Sequence, residues 1–386
     1  MLRLGLISSA FALVICSSGA SAAEKFVYPL PAASAVDVRK SVAYTKWKGA
    51  DLVMDVYRPA NRPSGARLPV VIFMNGFGGD SQREWLQYKS WASLAAANGF
   101  VAINPDTHSE GIEEDFDAIV AYLRAHAADL QADPDLISLW ACSGHVFKSM
   151  PMAEDPSRTS IKSAVFYYGT GPVAKWRLDL PVQMVRAGLD RPGLNRGIEE
   201  LSASALKSNA PFTVLNHPGG HHGFEAIDDD DTSREVIAQT LRFLKTTLTA
   251  NYQAALHAGL PAAAAAGAVS TGDYETAARL YGPLAAANLS DSRLQLAYGE
   301  ALLGARRFRD ATNHFDKLRG NRELGPRDLG LPAARAAAQA GEAARAIEWL
   351  NMIPARFLPA EALRDPAFKS LESNPEFQAV AARPRN

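Results

Sequence analysis

Leu136-Ile137-Ser138-Leu139-Trp140-Ala141-Cys142-Ser143-Gly144-His145 is the stretch on which the reading of this chain turns. An apolar run of strand length passes into a serine set among small residues, and a helical pattern follows. In a parallel sheet, ligands bind outside the carboxyl ends of the strands, so the residues just past each strand are weighed first. A strand, then small-x-Ser-x-small, then a helix describes a tight turn that lifts a serine hydroxyl clear of the sheet. Ala141 suits the crowded position two before Ser143, whereas His145, two after it, is large where glycine is usual. Cys142 offers a second register for a nucleophile. That register would put Trp140 in the crowded position, so Ser143 is preferred and Cys142 is read as a buried small residue.

Working outward, apolar strand patterns recur at residues 68–74, 100–105, 136–140, 164–168, 182–186 and 212–215. Residues 52–57 alternate with period two and predict an antiparallel edge strand. Helical patterns lie between, as at 84–98 and 113–128, where Trp85, Tyr88 and Trp91 share one stripe that is expected to be core or domain contact. Strands alternating with amphipathic helices predict an α/β fold with a mostly parallel sheet covered on both faces.

The flanks differ in kind. Met1-Leu2-Arg3, an apolar run over 4–16 and Ala20-x-Ala22 form a signal-peptide pattern, so residues 1–22 are expected to be removed on export to a periplasmic or secreted destination. That run is too short to cross ~30 Å of hydrocarbon, and no membrane span is expected after cleavage. Beyond residue 249 alanine dominates and strand patterns cease. Gly272-Asp273-Tyr274-x-x-Ala277-x-x-x-Tyr281 returns 34 residues on as Arg307-Phe308-x-x-Ala311-x-x-x-Phe315, and more weakly from Gly341. Gly299 falls where the first helix of such a repeat needs a small residue. The expected division is a signal peptide over 1–22, an α/β domain over 23–248 and a helical-repeat domain over 249–386.

Lys and Arg number 40 against 41 Asp and Glu, a net charge of −1 that gives no basic surplus for nucleic acid. Two cysteines, Cys16 and Cys142, exclude a disulfide framework and a cysteine-rich zinc site. The acidic run Asp228–Asp231 stands ahead of a long amphipathic helix and is read as a solvated cap rather than a calcium site.

A serine nucleophile needs a base, and the base needs an orienting carboxylate. Past the last strand lies His217-Pro218-Gly219-Gly220-His221-His222-Gly223-Phe224-Glu225, whose glycines permit a loop reaching back across the strand ends. His222 is the candidate base, His221 its serious competitor, and His217 a loop hydrogen-bonder. Asp190 is the candidate carboxylate, two residues past Gly188 at the end of the preceding strand. Serine, aspartate and histidine then follow successive strands in the order this kind of sheet uses. The glycine-rich turn Asn75-Gly76-Phe77-Gly78-Gly79 supplies an N–H, from Phe77 or Gly76, to face that of Gly144 across a reacting carbonyl. Asp106-Thr107-His108 follows another strand and lines either the pocket mouth or only a polar loop. Only 46 residues separate Ser143 from Asp190, which predicts an open site without a large lid.

Together these residues resemble the alpha/beta-hydrolase family, in its dienelactone-hydrolase-like branch, over about residues 36–248. The resemblance implies Ser143 as nucleophile, His222 as base, Asp190 as acid, and Phe77 and Gly144 as oxyanion donors. It implies cleavage of a small-molecule carboxylic ester through an acyl-enzyme, with no cofactor and no metal. The departures are Ala141 and His145 at the elbow and serine in place of the cysteine of dienelactone hydrolases, which favour a simple ester over a lactone. The C-terminal third resembles tetratricopeptide repeats, which implies a surface for a protein partner or self-association. A non-catalytic hydrolase scaffold working through those repeats, and a peptidase or acyltransferase on the same fold, are the alternatives.

Overall fold

The computed structural model describes residues 26–74, 82–108 and 110–384. The signal-peptide pattern over 1–22 and the turn containing Gly76 and Phe77 lie outside the described residues. Eight strands form one sheet: β1 (Val36–Trp47), β2 (Ala50–Pro59), β3 (Leu68–Phe73), β4 (Val101–Pro105), β5 (Ala132–Cys142), β6 (Ile161–Tyr167), β7 (Val182–Ala187) and β8 (Phe212–His217). Their order is β1-β2-β4-β3-β5-β6-β7-β8. The β1–β2 and β2–β4 pairs are antiparallel, and every pair from β4 to β8 is parallel. With helices on both faces, this is the α/β-hydrolase fold that the sequence leads one to expect.

The residues 52–57 expectation needs correction. They form a strand, but β2 lies inside the sheet, and the edge is β1, which the sequence pattern does not announce. Its middle, Arg39-Lys40-Ser41, is exposed, and its register shifts between Arg39 and Val42 and again between Ala43 and Thr45. Bulges and charge of this kind protect an edge from pairing with other chains, and they also erase the period-two signal.

Alternation along the parallel strands sorts side chains to two cores. Val70, Ile72, Ile137, Leu139, Ala141, Phe166 and Met184 face one layer. That layer is covered by α2 (Ile112–Ala125), α4 (Val146–Glu154) and α5 (Pro192–Lys207). Phe73, Trp140, Cys142, Tyr167 and Val185 face the other, under α1 (Leu86–Ala97) and α7 (Asp231–Thr247). Short helices α3 (Ala127–Leu130) and α6 (Phe224–Ile227) complete this part. Tyr88 and Trp91 are fully buried in the second core, while Trp85 is half exposed. Asp230 caps α7 by accepting the Ser233 N–H at 2.7 Å, the role read for the acidic run. Every residue between Ser143 and Asp190 is described, and no helical lid is inserted among them.

The C-terminal region is wholly helical, in antiparallel pairs. Helices α8 (Ala250–Thr271) and α9 (Tyr274–Ala287) turn at Gly272, α10 (Ser292–Gly304) and α11 (Phe308–Lys317) at Arg306, and α12 (Pro326–Gln339) and α13 (Ala343–Met352) at Gly341. Ala277, Ala311 and Ala346 are all fully buried in its separate apolar cluster. A Cβ on Gly299 would stand 2.6 Å from the buried Phe315 ring, so the helices approach there only because the side chain is absent. Beyond α13, Asp365 and Asn374 cap short turns, the second starting α14 (Pro375–Ala381), and the Phe368 and Phe377 rings meet at 5.8 Å to close the array. The array is anchored to the sheet by Gln253, whose Nε2 donates to the Thr247 and Lys162 carbonyls, and by Asn209, which donates to Ala263. Lys162 is the second residue of β6, so the helices dock at the rim opposite the strands' carboxyl ends.

Gly299→Val is expected to overpack this contact and cost about 1–3 kcal/mol. Thermal melting followed by circular dichroism should show a lowered midpoint; an unchanged one would mean the helices separate freely.

Candidate active site

Strand β5 ends at Cys142, and Ser143 opens a 3-10 turn, Ser143–His145, that runs straight into α4. Ser143 has φ +54°, left-handed backbone for a residue with a Cβ, a conformation that costs about 1–3 kcal/mol. The turn fits because its neighbours are small. Ala141 is fully buried beside β6, and a Cβ on Gly169, just past β6, would overlap the Ser143 carbonyl oxygen. His145 closes the turn. It is buried, with its ring 6.3 Å from Tyr88 in edge contact, and burial lowers its pKa to about 4.

Strand alternation separates Cys142 from Ser143. The thiol lies in the second core, 3.5 Å from the Tyr88 hydroxyl, and desolvation pushes its pKa up to about 12. A buried, protonated thiol is a poor nucleophile.

The structure brings Ser143, His222 and Asp190 together. The Ser143 Oγ is 2.7 Å from His222 Nε2, and His222 Nδ1 is 2.6 Å from Asp190 Oδ2. The tautomer that satisfies both contacts donates Nδ1–H to the carboxylate and accepts the serine proton at Nε2. Asp190 Oδ1 accepts the Arg191 N–H at 2.7 Å, which fixes the carboxylate from its other side. The Asp190 side chain is almost wholly buried and His222 partly open, so this line of contacts runs from the interior towards solvent.

This meeting depends on how the ends of β7 and β8 are joined. Gly188 N donates to the His217 carbonyl at 2.8 Å and Leu189 N to that of Gly220 at 2.9 Å. A Cβ on Gly188 would overlap the Pro218 carbonyl, and one on Gly220 would press into the His217 ring. The two strand ends therefore lie side by side, and Gly223 at φ +79° turns the chain into α6. The other histidines are occupied elsewhere. His221 binds Asp228 through its backbone N–H at 2.7 Å and its Nδ1 at 2.9 Å. His217 is buried with Nε2 2.8 Å from the Ser233 hydroxyl.

Gly144 occupies the first turn after Ser143, where N–H groups at a helix start lack intrahelical partners. Phe77, its expected counterpart, lies outside the described residues. The Asp106-Thr107-His108 loop forms a network of its own: Arg83 Nε donates to Asp106 at 3.1 Å, and His108 Nδ1 lies 2.8 Å from Asp115. Among the described residues no group of three or more His, Cys, Asp or Glu side chains is arranged to hold a metal ion, and no helix is long and apolar enough to cross a membrane.

Sequence reasoning missed Tyr168. It directly follows β6 at φ +33°, and its ring lies 4.5 Å from the His222 imidazole. The signal was its position just past a parallel strand, the same one that marks Ser143 and Asp190. Glu225 was also passed over, although it stands three residues beyond His222.

No family model matches the chain, and neither does any curated protein. Among solved structures it is similar to Thermogutta terrifontis esterase 2 phosphoramylated by tabun, at 19% identity and a TM-score of 0.43, covering 56% of this chain and 96% of that one. It is also similar to a fungal esterase from Rhizomucor miehei, at 14% identity and TM-score 0.46 over 57% and 86% of the two chains. A third is MGS-M1, an alpha/beta hydrolase from a Medee basin deep-sea metagenome library, at 15% identity and TM-score 0.45 over 56% and 99%.

Iodoacetamide at pH 8 is expected to leave Cys142 unmodified in the folded protein and to alkylate it after unfolding in urea, as mass spectrometry would read. Because burial lowers His145 below its ordinary 6.5, its stabilising contribution is full above that value and is lost as pH falls from 6.5 through 4. His145→Asn should accordingly flatten the loss of urea midpoint between pH 7 and pH 4.5.

Proposed function

We propose that the chain is a serine hydrolase of carboxylic esters. The single observation that carries the reading is the continuous contact from Ser143 Oγ through His222 to Asp190, with the serine held left-handed on a strand-to-helix turn. As the ester carbonyl approaches, His222 Nε2 takes the Ser143 proton and Oγ bonds to the carbonyl carbon, placing negative charge on the carbonyl oxygen. The Gly144 N–H, with that of Phe77 as its counterpart, stabilises this oxyanion. His222 then returns the proton to the alkoxy oxygen, the C–O bond breaks, the alcohol leaves and an acyl-enzyme remains. Water, deprotonated by the same imidazole, attacks the acyl carbon, and the proton passes back to Oγ as the acid departs. Asp190 stays ionised throughout and steadies the imidazolium.

Two exposed apolar side chains near the site residues in sequence favour an apolar ester as substrate. Phe147, one helical turn after Ser143, and Leu189, beside Asp190, are each more than half exposed. Ser143 stands at the elbow where a dienelactone hydrolase carries its cysteine, so a simple ester suits the site better than a lactone. The signal-peptide pattern makes this an exported enzyme in our reading. The helix pairs, taken as tetratricopeptide-like repeats in a domain beginning near residue 249, offer a surface for a partner or a second copy away from the site.

Ser143→Ala is expected to lower kcat/KM on p-nitrophenyl butyrate by about 10³-fold or more, while Cys142→Ala stays near wild type. A fluorophosphonate probe should label wild type at Ser143 only. Retained turnover in Ser143→Ala overturns the reading and moves the nucleophile to another residue, Cys142 first, whereas no labelling of the folded wild type overturns it in favour of a non-catalytic scaffold.

A further inference from the structure

Beneath the base lies a buried carboxyl that the mechanism above does not use. Glu225 is fully buried, and its Oε1 accepts the Tyr168 hydroxyl and the Gln87 Nε2–H, each at 2.6 Å. Gln87 Nε2 is also 2.8 Å from the Tyr168 hydroxyl, so the three side chains close a triangle. Tyr168 in turn lays its ring 4.5 Å from His222.

We propose that Glu225 is the positioning residue for the base: it fixes the Tyr168 ring, which holds the His222 imidazole on the line between Ser143 and Asp190. The inference rests on the serine-hydrolase reading and deepens it. Asp190 grips His222 at one atom only, Nδ1, and a ring held at one atom still swings about that contact. Tyr168 supplies the second restraint, its ring packed against the imidazole at a tilt of 54°. Tyr168 is itself poorly placed to stay there unaided, because its φ of +33° is a strained conformation for a bulky residue. Its backbone N–H is tied to the Val185 carbonyl at 2.7 Å, and its hydroxyl is tied to Glu225.

The chemistry of the pocket suits a carboxylate. Two donors converge on one oxygen, and the Trp91 indole N–H favours the charged form from beyond hydrogen-bond range. An amide at this position either turns its N–H groups onto the two donors or keeps its oxygen there and leaves buried N–H groups with no acceptor at the Oε2 position. Burial without a cationic hydrogen-bonding partner raises the carboxyl's pKa, a cost that a merely space-filling residue would not incur. Glu225 also lies in the turn that carries the base, and its backbone carbonyl accepts the Val27 N–H at 2.9 Å. The carboxyl therefore ties together the loop after β8, the residue after β6 and the first turn of α1.

The test compares Tyr168→Phe, which removes one oxygen and keeps the ring, with Glu225→Gln and the double variant. On p-nitrophenyl butyrate each is expected to lose about tenfold in kcat with KM within about twofold, against the ~10²-fold that a misplacement of about 1 Å costs. The double variant should be no worse than the poorer single one. Fluorophosphonate labelling should slow by the same factor as kcat. A second readout does not need turnover: the downfield Nδ1 proton of His222, assigned by its loss in Asp190→Ala, should be resolved in wild type and broadened by exchange in both single variants. Full kcat in folded Tyr168→Phe, a loss carried by KM alone, losses that multiply in the double variant, or an unchanged His222 proton signal would each overturn the proposal. If Glu225→Gln fails to fold, Tyr168→Phe decides. An inactive, unlabelled wild type whose His222 signal still responds to these variants would sink the hydrolase reading and leave the positioning role standing.

Discussion

The backbone at Ser143 is the constraint around which the rest of the site is arranged. A residue with a Cβ held at φ +54° must be over-determined by its surroundings, or the turn relaxes. The restraint comes from both sides. The fully buried Ala141 precedes the turn, α4 begins directly after it, and Gly169 packs so closely on the Ser143 carbonyl that no side chain fits between. The elbow thus depends on β6 as much as on β5. A glycine 26 residues downstream matters as much as the residues that flank the serine.

Orientation of His222 is a separate problem, solved further along the same rim, at the ends of β7 and β8. The ends of β7 and β8 are joined by backbone hydrogen bonds that leave no space for side chains at Gly188 and Gly220. That close approach sets the His222–Asp190 distance. The Glu225–Tyr168–Gln87 triangle lies beneath it and connects the same loop to α1 and β6. The helical array, in contrast, meets the sheet near Lys162 and Asn209, at the far rim. Its contacts with the sheet thus lie away from Ser143.

Much of the fold was legible from alternating apolar runs, because strands buried on both faces are written in Val, Ile, Leu and Phe. Strand β1 was not, because an edge strand carries charge, bulges and exposed positions that mask its period. The helix pairs beyond residue 249 were legible through spacing: Ala277, Ala311 and Ala346 recur where helices must approach closely. Ser143, Asp190 and His222 could be picked out because each stands just beyond a strand in a glycine-rich or small-residue setting.

By itself the sequence determined the alternation of strand and helix, the residues that end each strand, and hence a short roster of candidates along one rim. It singled out His222 ahead of His221 and read Cys142 as buried, but it held nothing that fixes those orientations, and it left open which way His145 points. Those were decided by tertiary structure, for a physical reason: direction depends on partners distant in the chain. His221 turns to Asp228 and His217 to Ser233, which leaves His222 for Asp190. Cys142 and His145 are drawn to Tyr88 on α1. No local pattern encodes those choices, because each is a competition among contacts that exist only once the sheet has formed.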